Sequence, residues 1–325
     1  MAEYIGIKGV AIQSLASDPA NPIEGQVWYN TTTAVLKGYK STAGTGAWAS
    51  GGIMNNAREG GGTGFGSQSA GVAGGGGPGP GAYVEEYNGV GWTSVTVLPA
   101  AGSQGGSTGS QTAGMMMGIY APDRTASVFY NGLSWTAGPA LTNGRGAGMG
   151  VGTTTAGFYV GGNTGPKAHT EEYNGTSWTE KADLNAGRGQ AAAGGTTTAA
   201  VFAGGVGGTP STNPTQSETY DGTTWSVGST LTTGRGYLTG GGSTSDDAIL
   251  FGGGPVPVTY QYDLTEAWNG SSWTEVADLA TASETSFGTM PGAGAATYRA
   301  RTPAGGATEE WTVPYTNTVK TFTSS

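Results

Sequence analysis

The sequence predicts an all-β protein built from repeated four-stranded units, the arrangement of a β-propeller. Three observations carry this expectation. A tryptophan that follows an Asn-Gly or Asp-Gly turn recurs as Trp92, Trp135, Trp178, Trp225 and Trp273, at steps of 43, 43, 47 and 48 residues. Between these landmarks lie short apolar stretches ending in a glycine pair: "GFYVGG" from 157, "AVFAGG" from 200 and "AILFGG" from 248. They are too short for helices. Finally, 64 of 325 residues are glycine, without a Gly-X-Y period and with nine regularly spaced tryptophans, which points to a turn-rich β fold rather than collagen or disorder.

Each unit divides into four strands. Over 188–226 the pieces are "QAAAGG", "AAVFAGG", "SETYDG" and "TTWSVGS", with turn residues at every joint. Asn-Gly or Asp-Gly between the last two is a hairpin signal because both residues tolerate positive φ. Tyr173 and Trp178 are then expected to face each other across such a hairpin. The glycine pairs Gly161-Gly162, Gly204-Gly205 and Gly252-Gly253, with alanine-rich first strands, suit inner strands that approach closely. The tryptophans are expected to fill the wedge that opens between units at larger radius.

The order of these features resembles the kelch family of propellers: a Gly-Gly after an apolar strand, an aromatic on the third strand, Trp on the fourth, then Arg in a loop. The resemblance covers roughly residues 56–325. It implies a propeller over 51–325 with six blades, cut near 56–94, 103–137, 145–180, 188–227, 235–275 and 284–325. Residues 1–50 form an N-terminal β segment whose pieces "GVAIQS", "GQVWYN", "AVLKGY" and "GAWAS" make a seventh, divergent blade the alternative. Two units depart from the pattern. "GMMMGIYAPD" at 114–123 has Gly118-Ile119 for the glycine pair, and the last unit keeps Gly305-Gly306 and Trp311 but replaces the Asn-Gly-x-x-Trp turn by "PYTNT". Terminal repeats are commonly atypical.

The stretch "NPIEGQVWYNTTTAVLKGYKSTAGTGAW" at 21–48 resembles the short β motif near the start of many bacteriophage tail-fibre and other virion structural proteins, often in the part that docks on the particle. With the repeats, the whole chain is similar to repeat-bearing structural proteins of tailed phages, including those infecting cyanobacteria. The resemblance implies a non-enzymatic virion protein of the tail or a fibre-like appendage, made in the host cytoplasm. Its implied partners are other virion proteins and further copies in a symmetric homo-oligomer. Recognition of a host surface glycan is the alternative, and glycan hydrolysis a weaker one.

Composition narrows the chemistry. A net charge of −9 with 13 Lys plus Arg and no basic stripe argues against nucleic acid and anionic membranes as partners. No cysteine means no disulfide or thiolate site, and the single histidine, His169, leaves no cluster with ligand spacing, so neither metal nor cofactor is expected. His169 reads as a loop residue. The start of the chain lacks the order of a secretory signal, and no window reaches the apolar length of a membrane span.

Candidate sites are weighed on the same terms. Arg145, Arg188 and Arg235 recur in loops at one end of the units, where they could gather an anionic sugar. The alternative is a charge-assisted bond to a carbonyl or to a preceding acid, as Asp183 offers Arg188. The pairs Glu85-Glu86 and Glu171-Glu172 put one side chain on each strand face and read as solvated edges. Met115, Met116 and Met117 read as core filler. "TYDGTTW" at 219–225 approaches the Asp-box of propeller sialidases but lacks the residue between Asp and Gly. The copper chemistry of kelch-type galactose oxidases needs two histidines and a cysteine that this chain does not have. Asp246, Asp247 and Glu284 are available carboxylates, and nothing in their spacing marks a glycosidase pair.

Overall fold

The computed structural model describes residues 12–322 apart from 57, 59–61, 77–80, 120–123, 164–167, 208–214, 257–259, 284–286, 293–294 and 300–305. Two features named above therefore lie wholly or partly outside the described residues: the first 11 residues of the N-terminal segment, and Tyr120–Asp123 of the methionine-rich unit. Gly305 and Glu284 lie outside them too. Every described regular element is a strand; no helix occurs among the described residues, and so none long and apolar enough to cross a membrane.

The chain divides into two compact units, Gly46–Thr312 and Met1–Thr45 with Val313–Ser325. Among its described residues the larger contains six four-stranded antiparallel sheets, here I to VI, and one two-stranded sheet, Arg188–Gly189 with Val206–Gly207. Sheet I comprises Thr63–Ser67, Ala70–Gly74, Val84–Tyr87 and Trp92–Ser94. Sheet II comprises Gly106–Ser110, Ala113–Met117, Ser127–Tyr130 and Trp135–Ala137. Sheet III comprises Met149–Gly152, Gly157–Val160, Thr170–Tyr173 and Trp178–Glu180. Sheet IV comprises Ala192–Gly195, Ala200–Ala203, Ser217–Tyr220 and Trp225–Val227. Sheet V comprises Thr239–Thr244, Asp247–Phe251, Thr265–Trp268 and Trp273–Glu275. These match the strand divisions expected from the repeat. The first strands lie side by side in the order I to VI, and that of sheet VI also lies against that of sheet I. The arrangement is compatible with a β-propeller.

Sheet VI differs in one strand. Its first three are Phe287–Gly292, Ala295–Arg299 and Thr308–Thr312, and its fourth is Ala47–Ser50, which pairs Trp48 with Trp311. The last unit needs no Asn-Gly-x-x-Trp hairpin because its outer strand comes from the start of the chain. The boundary expected at residue 50 is accordingly displaced. "GAWAS" belongs with the repeats, while "PYTNT" runs into Tyr315–Phe322, which joins the smaller unit. Among its described residues that unit holds one sheet, Gln13–Leu15, Val27–Asn30, Val35–Ala43 and Tyr315–Phe322. Its first pair is parallel, unlike any pair in the six repeated sheets. Asp18 organises it, accepting from Trp28 Nε1, Asn30 Nδ2 and Lys37 Nζ, and these bonds, led by Lys37, hold its carboxyl below the ordinary value.

The hairpins form for a local reason. Asn174 Oδ1 accepts the backbone N–H groups of Thr176 and Ser177, and Gly175 takes φ +91°. Asn88, Asn131, Asp221 and Asn269 do the same in their units. Only the glycine is left-handed. The Asn or Asp acts as a side-chain acceptor that mimics a backbone turn, not as a second positive-φ residue. Tyr173 and Trp178 then pair, with ring centroids 5.3 Å apart.

Candidate functional site

The repeated arginines are interior. Arg145, Arg188 and Arg235 are each at most 1% exposed, so the anion-gathering role is not available to them. Arg188 shows the pattern. Its Nε donates to Gly204 O at 3.0 Å, its Nη1 to Ala186 O at 2.8 Å and to Glu218 Oε1 at 2.5 Å, and its Nη2 to Phe202 O at 3.3 Å. The loop before sheet IV is thereby tied to the ends of that sheet's second and third strands. Bonds to carbonyls match one reading of the sequence; the carboxylate is Glu218, on the third strand, and not Asp183.

Arg145 bonds to carbonyls and pairs with Glu171 in the same way, whereas Arg235 reaches Glu266 and the Thr233 carbonyl through Nη1 alone. Arg58 and Glu85 form the corresponding pair in sheet I, with nitrogen and oxygen 3.5 Å apart, and the sequence pattern does not flag it because Arg58 precedes the first Asn-Gly-x-x-Trp landmark. The first glutamates of Glu85-Glu86 and Glu171-Glu172 are therefore buried ion-pair partners rather than solvated edges. The second ones reach neighbours: Glu86 accepts from Tyr130 Oη at 2.8 Å and Glu172 from Lys181 Nζ at 2.7 Å. Burial pushes Tyr130 above its ordinary value, and likewise lifts Tyr87, which donates to Glu310, to about 12. Burial also raises Glu218, but Arg188 and the Asn185 N–H outweigh it and hold the carboxyl below its usual range.

The tryptophans sit between sheets. Trp225 packs among Val151, Phe158 and Val160 of sheet III and Phe202 and Tyr220 of its own. Trp178 packs beside Met115 and Met117, while Met116 faces the opposite side, toward sheet I. Trp135 is only half-buried. The glycine pairs do more than save space. Gly161, Gly204 and Gly252 have φ of +68°, +65° and +65°, and the following N–H of each pair donates to the carbonyl of Arg188, Arg235 or Ser283 in the segment leading into the next sheet.

A cavity of about 570 Å³ is bounded by the first strands of sheets I to V. The close approach of these strands demands glycine. A Cβ on Gly150 would lie 2.5 Å from Ser107 O, and one on Gly194 2.9 Å from Gly242 N. Hydroxyls bridge neighbours, Thr63 to Ser107 at 2.6 Å and Thr108 to Gly152 O at 2.5 Å. Gln104, Ala147, Gln190 and Tyr237 line one part of it, all with φ between +52° and +56°. Ala147 N donates to Gln104 O and Gln190 N to Ala147 O, so this strained turn links sheet to sheet. Among its described lining residues none is Asp, Glu, Lys, Arg or His. Such a surface can hydrogen-bond a neutral polar molecule and offers no acid–base pair. Asp246 is exposed, on the turn between the first two strands of sheet V.

His169 lies just before the third strand of sheet III, as a loop residue. The fold brings it to Glu180 and Asp183, at 2.7 and 3.4 Å from Nδ1. Sequence spacing hides this cluster because the three residues meet only when the strands pair. No family model matches the chain, and no curated protein matches it in sequence.

Proposed function

We propose that the chain is a non-enzymatic structural protein of a tailed-phage particle, in which the six sheets are blades of a closed kelch-like propeller. The observation that supports this best is the fate of the repeated residues: Trp, Arg, Glu and Gly-Gly are buried, paired or linking sheet to sheet. Repetition thus serves folding. Closure rests on strand Ala47–Ser50 as the outer strand of sheet VI, and on contacts between sheets VI and I. Trp92 Nε1 donates to Thr308 Oγ1 at 2.9 Å and Gln68 Nε2 to Trp311 O at 3.2 Å. The smaller unit, which carries the sequence resembling a virion-docking motif, would attach the protein to other virion proteins, in the tail or a fibre-like appendage. Symmetric copies there would supply avidity to weak contacts.

Imaging of purified particles by cryo-electron microscopy tests this reading. Six-bladed rings at fixed, symmetry-related positions are expected, labelled by an antibody to the chain. Its recovery only from infected-cell cytosol, never with particles, overturns it.

A second reading, recognition of a host surface glycan, is favoured by one observation. The uncharged cavity presents Ser, Thr, Gln and backbone groups suited to a neutral sugar. It moves the ligand site from the arginines to the cavity. Binding of the purified oligomer to a glycan array, lost in Gln190→Ala with Tyr237→Ala, tests it. The same lining gives hydrolysis no support.

A further inference from the structure

The chain's single histidine stands on a backbone held from several sides. Pairing of the third and fourth strands of sheet III continues beyond their ends, with Lys181 N donating to Thr170 O at 2.9 Å and Leu184 N to Ala168 O at 3.0 Å. The carbonyl of His169 itself accepts from Gly161 N at 2.9 Å and from the buried Arg145 Nη2 at 3.3 Å. His169, Glu180 and Asp183 thus project from fixed positions, and one ligand atom of each lies within 4.8 Å of the others. Nδ1 is sealed from solvent under the two carboxylates, and although Glu180 Oε1 stands 2.7 Å away, neither carboxylate meets it in hydrogen-bond geometry. A buried nitrogen without a directed hydrogen bond is stabilised when a further group engages it.

Sheet V supplies a comparison within the same molecule. "TEKADL" at 179–184 and "TEVADL" at 274–279 place Glu275 and Asp278 where sheet III has Glu180 and Asp183, but Leu264 stands in the position of His169. There Asp278 Oδ1 accepts the N–H of Thr265 at 3.0 Å. An acidic pair alone is therefore used by the backbone. With histidine opposite, Asp183 lies against the imidazole instead.

We propose that His169, Glu180 and Asp183 bind a divalent transition cation of the zinc class. One imidazole nitrogen and two carboxylate oxygens form a ligand set that zinc takes, with bonds of about 2.0–2.2 Å whose tetrahedral ligand atoms stand roughly 3.4 Å apart. Asp183 is already at that separation from Nδ1. Glu180, about half exposed, reaches it by a small turn of its side chain. The imidazole selects against magnesium, which prefers an all-oxygen shell. Three protein ligands leave a fourth position for water or for a donor from another molecule.

Calorimetric titration of the metal-free full chain with zinc chloride alone, and separately with magnesium chloride, tests the site. One saturable zinc equivalent is expected and no magnesium binding at the same concentrations. His169→Gln and Asp183→Asn should each weaken zinc by about tenfold or more, while Glu275→Gln with Asp278→Asn leaves it unchanged. Circular dichroism of each variant should match the unsubstituted protein, and Asp183→Asn, at a half-exposed position, keeps the test valid if His169→Gln misfolds. Absence of saturable zinc binding, equal magnesium binding, or equal weakening by the sheet V variant would overturn the proposal.

Discussion

Sheets IV and VI carry the same buried glutamate in two electrostatic settings. In sheet IV, Glu218 meets Arg188, and its carboxyl is held below the ordinary value. In sheet VI, Glu309 is just as interior, but Ser283 occupies the place of the arginine in the backbone pattern; burial raises the Glu309 carboxyl against donation from Ala280 N and Thr281 N. Sheet II completes the series: Gly102 and Val128 replace both partners, and Arg124 instead donates to Ser103 O. Across the described residues the fold thus holds the pair, the carboxylate with backbone donors but no arginine, or neither member. The second is the setting that burial penalises.

Making sheet IV resemble sheet VI should have the largest effect. Arg188→Met is expected to cost about 3–5 kcal/mol near pH 8, because it strands Glu218 without a partner. The loss should shrink as pH falls, when the unpaired carboxyl takes up a proton. Arg188→Met with Glu218→Gln, which imitates sheet II, should recover most of the stability. Denaturant unfolding at several pH values measures all three; an additive double variant breaks the comparison.

Trp225→Ala should cost about 3–5 kcal/mol by emptying space between two sheets, and Trp135→Ala distinctly less because that ring is half-buried. Thermal unfolding followed by tryptophan fluorescence distinguishes them. Equal losses would mean that burial between sheets is not what the repeated tryptophan contributes.

A smaller effect hangs on one methyl group. Where the third strand of the preceding sheet begins with threonine, the indole N–H has a partner: Trp225 to Thr170, Trp48 to Thr265 and Trp92 to Thr308. Where it begins with serine, the hydroxyl turns back to a carbonyl, Ser127 to Pro139 and Ser217 to Ser229, and Trp178 and Trp273 have none. Threonine is stiffer at χ1. Ser127→Thr should therefore gain about 0.5–1 kcal/mol and Thr170→Ser lose a similar amount, read as opposite shifts in denaturation midpoint.

The smallest effect is a pH slope. A carboxyl whose folded value is raised contributes stability when protonated, and loses it as pH rises from the ordinary value of 4.5 through its folded value. Glu309→Gln should remove that loss, so its stability relative to the unsubstituted protein improves from pH 4 toward pH 8. The slope from Glu218 has the opposite sign, since its contribution is present above 4.5 and is lost as pH falls through its lower folded value. A Glu309→Gln variant with no change of slope would refute the lone-carboxylate picture.

Much of the unit is legible from residues close in sequence. Tyr173 and Trp178 meet because a turn of four residues brings them together, and the alternation of Glu171 and Glu172 follows from the pleat. The inward member's partner is not legible in the same way. Arg188 has Asp183 five residues before it, yet it reaches Glu218 thirty residues on. The cavity lining was missed because its residues are individually bland Gly, Ser, Thr and Gln. The only hint is their recurrence in first strands.

The sequence by itself determined the repeated unit, its four strands, its Asx turn and the need for glycine where the second strand ends. These depend on backbone conformation and strand alternation, which neighbours within a few residues impose. Only the tertiary structure decided which carboxylate meets which arginine, that residues 47–50 complete sheet VI, and that His169 stands against Glu180 and Asp183. Those choices depend on register between strands far apart along the chain, and no local pattern encodes which of several similar edges or charges will lie opposite.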